Sequence, residues 1–357
     1  MSRPEHVALV AAARWGLPVT SSTVRLADED LAAVRGVVGM DRLGGLLFHA
    51  MADGTVECSD HAREAIHSIW NAQLLASVVV EAQAVRAAAV LDGAGVRWRL
   101  TKGSAVAHLD YPDPGLRPFG DVDIVVHEND WGLALDACAG EGWRRPQPGL
   151  GLAYERRYGK GATFKTTEGL ELDAHLRFAV GRFGVRSAMR DLFTHHGTVS
   201  LAGRSLPTLD PVGRLLHACH HATLGGFRRF RAHRDVAQLL LVTGASWESA
   251  LAIAQRWRVE AVLARAIVES WHRLDLQDPH PAWVWAISHR IRRADRRALA
   301  VFGEERPFRE QALTTVMALP AHEVPEFLAA VYSRDAAARL LANWRSRLRR
   351  SVTRAWR

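Results

Sequence analysis

Three aspartates are the residues in this sequence best able to do chemistry together. Asp121 and Asp123 stand two positions apart in Asp121-Val-Asp-Ile-Val-Val-His127, and Asp173 follows in Leu172-Asp-Ala-His175. On an extended chain, residues two apart point to the same face. Two carboxylates so close repel each other unless cations sit between them. A pair of divalent ions, Mg²⁺ or Mn²⁺, resolves that repulsion and clamps the attacking and leaving oxygens of an in-line displacement at phosphorus. Asp173 completes the metal site or takes a proton from an attacking hydroxyl. Ahead of these acids lies Lys102-Gly-Ser104. Gly103 lets the backbone approach a phosphate, and Ser104 adds a hydroxyl at a helix start that favours anions. Lys102 and Arg117 are placed to neutralise phosphate charge, one as a point charge and the other as a fork.

These residues need a scaffold, and the sequence predicts one. Val96–Thr101 reads as a strand, Gly103-Ser104 as a tight turn and Ala105–Leu109 as a short helix. Pro112, Pro114, Gly115 and Pro118 force a loop before the strand Asp121–His127. Asn129–Gly140 has helical character and Gly142 ends it. Tyr154–Tyr158, Ala162–Thr166 and Leu170–Leu176 read as short strands, punctuated by Gly159, Gly161 and Gly169, which suggests antiparallel hairpins extending a mixed sheet. A helix over Ser187–His196 and a strand pair near Thr198–Leu206 follow. Asp210 then caps a new helix with Pro211 at its first position. The expected architecture is an α+β core over residues 93–206, a helical region over 1–92 and a helical domain over 207–357. A Gly-Ser turn or an Asp-x-Asp pair alone is commonplace. The ordered set of strand, Gly-Ser, helix, loop, acidic strand, hairpins and third acid is what points to a site.

The stretch from Leu100 to Val126, with its Lys102-Gly103 pair, Tyr111-Pro112 loop, Arg117-Pro118 and Asp121-x-Asp123, resembles the uncharacterised nucleotidyltransferase family of the polymerase-β superfamily. Leu172–His175 resembles that family's third-acid strand. Leu215–His221 and Phe230–Asp235 resemble its helical C-terminal segment, with a His-rich helix and an Arg-x-x-x-Asp element. The resemblance spans about residues 96–240. It implies a polymerase-β-like fold, a divalent metal and an NTP donor, and it leaves the acceptor open. Sixteen residues separate Ser104 from Asp121, more than in minimal members of the superfamily, and the Tyr111–Gly120 loop accounts for the excess.

Several side chains are auxiliary or acceptor-facing candidates: His175, His217, His221, Arg231 and Asp235. His175 shares a face with Asp173 and could orient an acceptor or shuttle a proton. His217 and His221 are four apart on a helix, a spacing that can bind zinc, but no third and fourth ligand stand at clear spacing, so a place in the cleft or core is expected. Phe227–Asp235 gathers arginines and aromatic rings that could grip phosphates or stack a base, with Asp235 expected to fix one of those arginines.

Composition bounds the setting. With 48% hydrophobic and 24% charged residues, the 357-residue chain can bury a real core. Three scattered cysteines form no disulfide framework, which suits a reducing cytoplasm. No apolar run approaching the ~20 residues of a membrane span is evident. From Trp283 to Arg357 fifteen arginines face seven acids, a difference of +8 that equals the net charge of the whole chain. Asn343–Arg357 reads as a basic amphipathic helix, with Trp344, Leu348, Val352 and Trp356 at steps of four. An RNA or another acidic partner is one expected use of this region, and a solvated helical face is the other. The reading that gathers most of these features is metal-dependent transfer of an NMP, AMP above all, from an NTP to a hydroxyl of a small molecule or peptide. Nucleotidylation of RNA or protein, and a non-catalytic nucleotide-binding regulator, are the alternatives.

Overall fold

A computed structural model describes residues 4–20, 22–147, 149, 151–303 and 308–332. The basic amphipathic segment Asn343–Arg357 lies outside the described residues. At the centre is a six-stranded mixed sheet built from β1 (Trp98–Thr101), β2 (Val122–Val126), β3 (Gly161–Lys165), β4 (Glu171–His175), β5 (Gly197–Leu201) and β6 (Arg204–Thr208), in the order β3-β4-β2-β1-β6-β5. β4 runs parallel to β2 and β6 parallel to β1, while the other neighbours are antiparallel. The expected α+β class and mixed sheet are therefore present, with helices before and after.

Period-2 alternation sorts the sheet into two faces. Val122, Ile124 and Val126 of β2 and Leu172 and Ala174 of β4 enter one core, together with Val80, Ala84, Ala87, Ala88 and Leu91 of the long helix α1 (Asp60–Gly93). The intervening Asp123 and Val125, and Asp173 and His175, must then face the other way. Val125 belongs to the second, larger core. That core joins N-terminal side chains such as Ala12, Val38 and Leu47 to Leu216 and Cys219 of α3 (Pro211–Leu224) and to Val236 and Leu239 of α4 (Phe230–Leu241). The helical segments on either side of the sheet thus share one packed interior and close over the acidic face. Helix α3 begins as expected, with the Asp210 side chain accepting from Gly213 N at 2.7 Å and Pro211 at its first position.

Four local expectations need correction. Tyr154–Tyr158 is helical, within Leu152–Tyr158. Its two tyrosines are four apart, with rings 5.4 Å from each other, and both meet Phe327, so contact along a helix face overrides a β-rich composition. Ser187–His196 contains only the 3₁₀ turn Met189–Phe193, and the α-helix lies earlier, at Gly181–Arg186. The N-terminal region is helical apart from a two-residue parallel pair, Val24–Arg25 with Val56–Glu57. Finally, α1 is long and apolar enough to cross a membrane by length and composition, with a mean hydropathy of 1.7 over its most apolar window. Its inward side holds polar anchors as well as apolar ones. Ser77 Oγ accepts from Phe119 N at 2.9 Å, and Trp70 Nε1 donates to Gly115 O at 2.8 Å, so α1 fastens the Tyr111–Gly120 loop.

Candidate active site

Register brings the acids together. Asp123 and Asp173 are direct partners across the parallel β2–β4 pair, and Thr101 faces Asp123 from β1. Ligand atoms of Asp123, Asp173 and His175 all lie within 4.8 Å of one another. His175 Nε2 is 2.9 Å from Asp123 Oδ1, and the Thr163 hydroxyl donates to Asp173 Oδ1. Asp121 sits just ahead of β2 and is joined to the group through Lys102, whose Nζ is 3.6 Å from Asp121 Oδ2 and 3.0 Å from both Asp123 oxygens. The tightest cluster therefore contains a histidine in place of one expected acid.

The electrostatics follow from burial. Burial by itself would push the Asp123 carboxyl up, but the Lys102 charge and the His175 hydrogen bond outweigh it and hold Asp123 well below the usual carboxylate range. Lys102 is likewise raised, since Asp123 and Asp121 overcome the cost of burying an ammonium. Burial pushes His175 down, and the charge of Lys160 adds to the effect. A neutral His175 then donates from Nε2 to Asp123 and keeps a lone pair on Nδ1. His217 and His221 of α3 are pushed well below the usual histidine value by burial and by Lys102. Their rings stack 6.0 Å apart, and Phe178 meets His217 edge-on. They are buried or half-buried neutral side chains that feel the charges of Lys102 and Asp123, and the cluster within 4.8 Å does not include them.

The turn before α2 (Gly103–Asp110) is held under strain. Lys102 has φ 54° and ψ −132°, a conformation that costs a residue with a side chain on the order of 1–3 kcal/mol. Arg117 maintains it from behind. Expected beside phosphates, Arg117 is instead 2% exposed, with Nε and Nη2 each donating to Asp235 at 2.7 Å and Nη1 donating to Gly103 O at 3.0 Å. Every arm of its fork is used inside the protein. Asp235 does fix an arginine, but that arginine comes from the Tyr111–Gly120 loop rather than from its own segment. Tyr111 also donates to Asp235 at 3.0 Å. A second buried pair, Arg214 with Asp110 at 2.8 and 2.9 Å, ties the far end of α2 to α3.

Three functional candidates escaped sequence reasoning. Lys160 is pushed down by burial and by Lys102, and Asp173 is the acid that opposes this most strongly. It stands between Gly159 and Gly161, and a Cβ on Gly161, at φ +151°, would fall 2.0 Å from Ala174 O. That close approach aims the lysine at the carboxylates, and the Gly-Lys-Gly spelling was the available signal. Thr163 is the direct partner of Asp173 on β3, visible once the hairpin register is known. Arg42 follows the helix Leu31–Asp41, far from the acids in sequence, and its guanidinium lies beside Gly120 and Asp121. Nothing in its neighbourhood of the sequence announces this.

The sequence profile of the family described as uncharacterised nucleotidyltransferase matches residues 30–271, more than half of the chain, and the chain belongs to that family. No curated protein matches it. Two solved structures are similar over part of the chain. One is the solution structure of the antibiotic-resistance factor ANT(2'')-Ia, at 12% identity and a TM-score of 0.35, covering 56% of this chain and 97% of that one. The other is an antigenic nucleotidyltransferase-like protein from Paracoccidioides brasiliensis, at 16% identity and a TM-score of 0.31, covering 56% and 92%.

Proposed function

We propose that the protein transfers an NMP, AMP in the first instance, from an NTP to a hydroxyl of a small-molecule or peptide acceptor and releases pyrophosphate. The single observation that carries this reading is the in-register pairing of Asp123 and Asp173 beside Lys102 and the start of α2. Asp123 Oδ2 is buried and makes no hydrogen bond of good geometry, although Lys102 Nζ is 3.0 Å away. An orphaned carboxylate oxygen among carboxylates and a neutral imidazole fits a hard divalent cation. Asp121, Asp123 and Asp173, with His175 at hand, are the residues that would hold Mg²⁺ or Mn²⁺, two ions by our reading. Bound there, the metal would supply charge neutralisation at the transferring phosphorus.

The residues of the chain supply the rest. Gly103, Ser104 and Lys102 present the strained turn to the donor phosphates, while Arg117 keeps that turn in place from inside. The acceptor oxygen forms a bond to the α-phosphorus as the bond from that phosphorus to the β-phosphate oxygen breaks, and pyrophosphate departs with the electron pair. The acceptor proton passes to the carboxylate of Asp173, whose orientation Thr163 fixes. His217 and His221, both neutral, contact the acceptor. Residues 93–206 act as the catalytic unit, with the described parts of the helical regions 1–92 and 207–357 packed around it, and a reducing cytoplasm suits the three free cysteines. Incubation with labelled NTPs, Mg²⁺ or Mn²⁺ and a panel of hydroxyl acceptors tests the proposal. Pyrophosphate release that disappears in Asp123→Asn supports it, and wild-type and variant signals that match would remove it.

A further inference from the structure

Among the described residues, two arginines beside the acidic row, Arg42 and Arg231, make no side-chain hydrogen bond and no ion pair. Asp41 ends the helix Leu31–Asp41, and its carboxylate accepts from Phe230 N at 2.7 Å and from Arg229 at 3.0 Å. This latch joins the N-terminal helices to the first turn of α4. The next residue on each side of it is an arginine: Arg42 after Asp41, Arg231 after Phe230. Arg42 adopts φ 53° at a helix end where glycine is the usual occupant. Its guanidinium fills the space in which a Cβ on Gly120 would lie, 1.9 Å from Nη2, so it sits against the residue before Asp121. Arg231 lies one helical turn ahead of Asp235 and shares its face. That face meets Arg117, and burial pushes Arg231 down, with the charges of Arg117 and Arg42 adding to the effect and those of Asp235 and Asp121 opposing it.

Neither guanidinium makes a hydrogen bond or an ion pair to another described residue, and both are half-buried. Asp235 is already spent on Arg117. Two like charges held side by side, partly out of water, cost free energy unless an anion joins them. A third cation near the row, Lys160, also makes no ion pair to another described residue and stands at the Asp173 end. The row therefore has a double positive charge at the Asp121 end and a single one at the Asp173 end.

We propose that Arg42 and Arg231 form a clamp for the β- and γ-phosphates of the donor, so that the leaving pyrophosphate departs across Asp121 while the acceptor enters beside Asp173 and Lys160. This rests on the reading of the site as a nucleotidyltransferase centre and adds to it the direction of the reaction across the sheet. It also assigns to two residues far apart in the sequence the phosphate contacts first expected of Arg117.

Calorimetric titration of the full chain with Mg²⁺-pyrophosphate, and separately with a nucleoside monophosphate, tests the clamp. Arg42→Ala and Arg231→Ala should each weaken pyrophosphate binding by roughly tenfold to a hundredfold, the range of one charge-assisted contact, and leave the monophosphate unchanged. Gly120→Ala keeps both arginines but displaces the Arg42 guanidinium. It should weaken pyrophosphate alone, with an unaltered thermal unfolding curve, and it decides the matter if either arginine variant fails to fold. Variants that bind pyrophosphate as tightly as the wild type would overturn the clamp and leave the transferase reading standing. A wild-type protein that binds neither probe overturns both.

Discussion

Two sets of buried or half-buried cations surround the acidic row, and they differ in whether their charge is already answered. Behind the row, Arg117 and Arg214 each meet one carboxylate with two bonds of 2.7–2.9 Å, with Asp235 and Asp110 as the acceptors. Along its rim, Arg42, Arg231 and Lys160 make no ion pair to another described residue. All five are costly to bring out of water. Where the counter-ion comes from the fold, the charge holds elements together. Where it does not, the cation is poised for a ligand. Sequence alone ranks Arg117 with the second set, because an Arg-Pro ahead of an acidic strand looks like a phosphate ligand. Only the presence of Asp235, brought from α4, moves it to the first.

That contrast can be broken experimentally. The largest effect belongs to the row itself. Asp123→Asn should lower nucleotidyl transfer by at least about a thousandfold, roughly 4 kcal/mol of barrier, in a pyrophosphate-release assay. Retained turnover would show that the acids only balance Lys102. Next come the struts. Arg117→Ala leaves the Asp235 carboxylate buried beside Tyr111 and should cost about 3–5 kcal/mol in denaturant unfolding. Arg42→Ala, with no ion pair among the described residues to lose, should stay within about 0.5 kcal/mol of the wild type. Similar losses from both would erase the distinction between strut and rim.

A smaller effect is expected from the hairpin that aims Lys160. Gly161→Ala forces a Cβ toward Ala174 O in a conformation that L side chains rarely adopt. A loss of roughly 1–3 kcal/mol is expected, read by thermal unfolding, with weaker substrate turnover in the folded fraction. A variant as stable as the wild type would mean that β3 can shift freely. The mildest test uses pH. Burial pushes His220 down from 6.5 to about 4, and His217 and His221 are pushed well below 6.5 as well. Their folded values are depressed, so the stability they contribute is fully present above pH 6.5. It is lost as pH falls from there towards the folded values, because the unfolded chain takes up protons that the folded one refuses. The slope is about 1.4 kcal/mol per pH unit for each histidine. Replacing His220 with Phe should flatten the curve between about pH 6.5 and 4, and an unchanged slope would show that these rings protonate within the fold.

Much of this molecule is written in short stretches of chain. Asp210-Pro211 sets a helix start because an acceptor side chain and a fixed φ act within a single turn. The alternation in Val122–Val126 buries its odd-face partners and turns Asp123 the other way, because strand periodicity is a property of the backbone. The order in which the acids follow the Gly-Ser turn could be read for the same reason, although the tightest cluster is Asp123, Asp173 and His175 rather than the three acids expected. Tyr154–Tyr158 could not, since its five residues suit a strand or a helix equally and contact with Phe327 chose between them.

What the tertiary structure alone decided is which charges meet. Asp235 lies 118 positions from Arg117, Asp41 lies 189 positions from Phe230, and no local rule joins them. A side chain's type fixes what it is able to do, whereas its task depends on whether the fold delivers an opposite charge within hydrogen-bonding distance. Local residue pattern placed the carboxylates. Packing of the helices before the sheet against those after it determined that Arg117 would be consumed and that Arg42 and Arg231 would find no ion pair among the described residues.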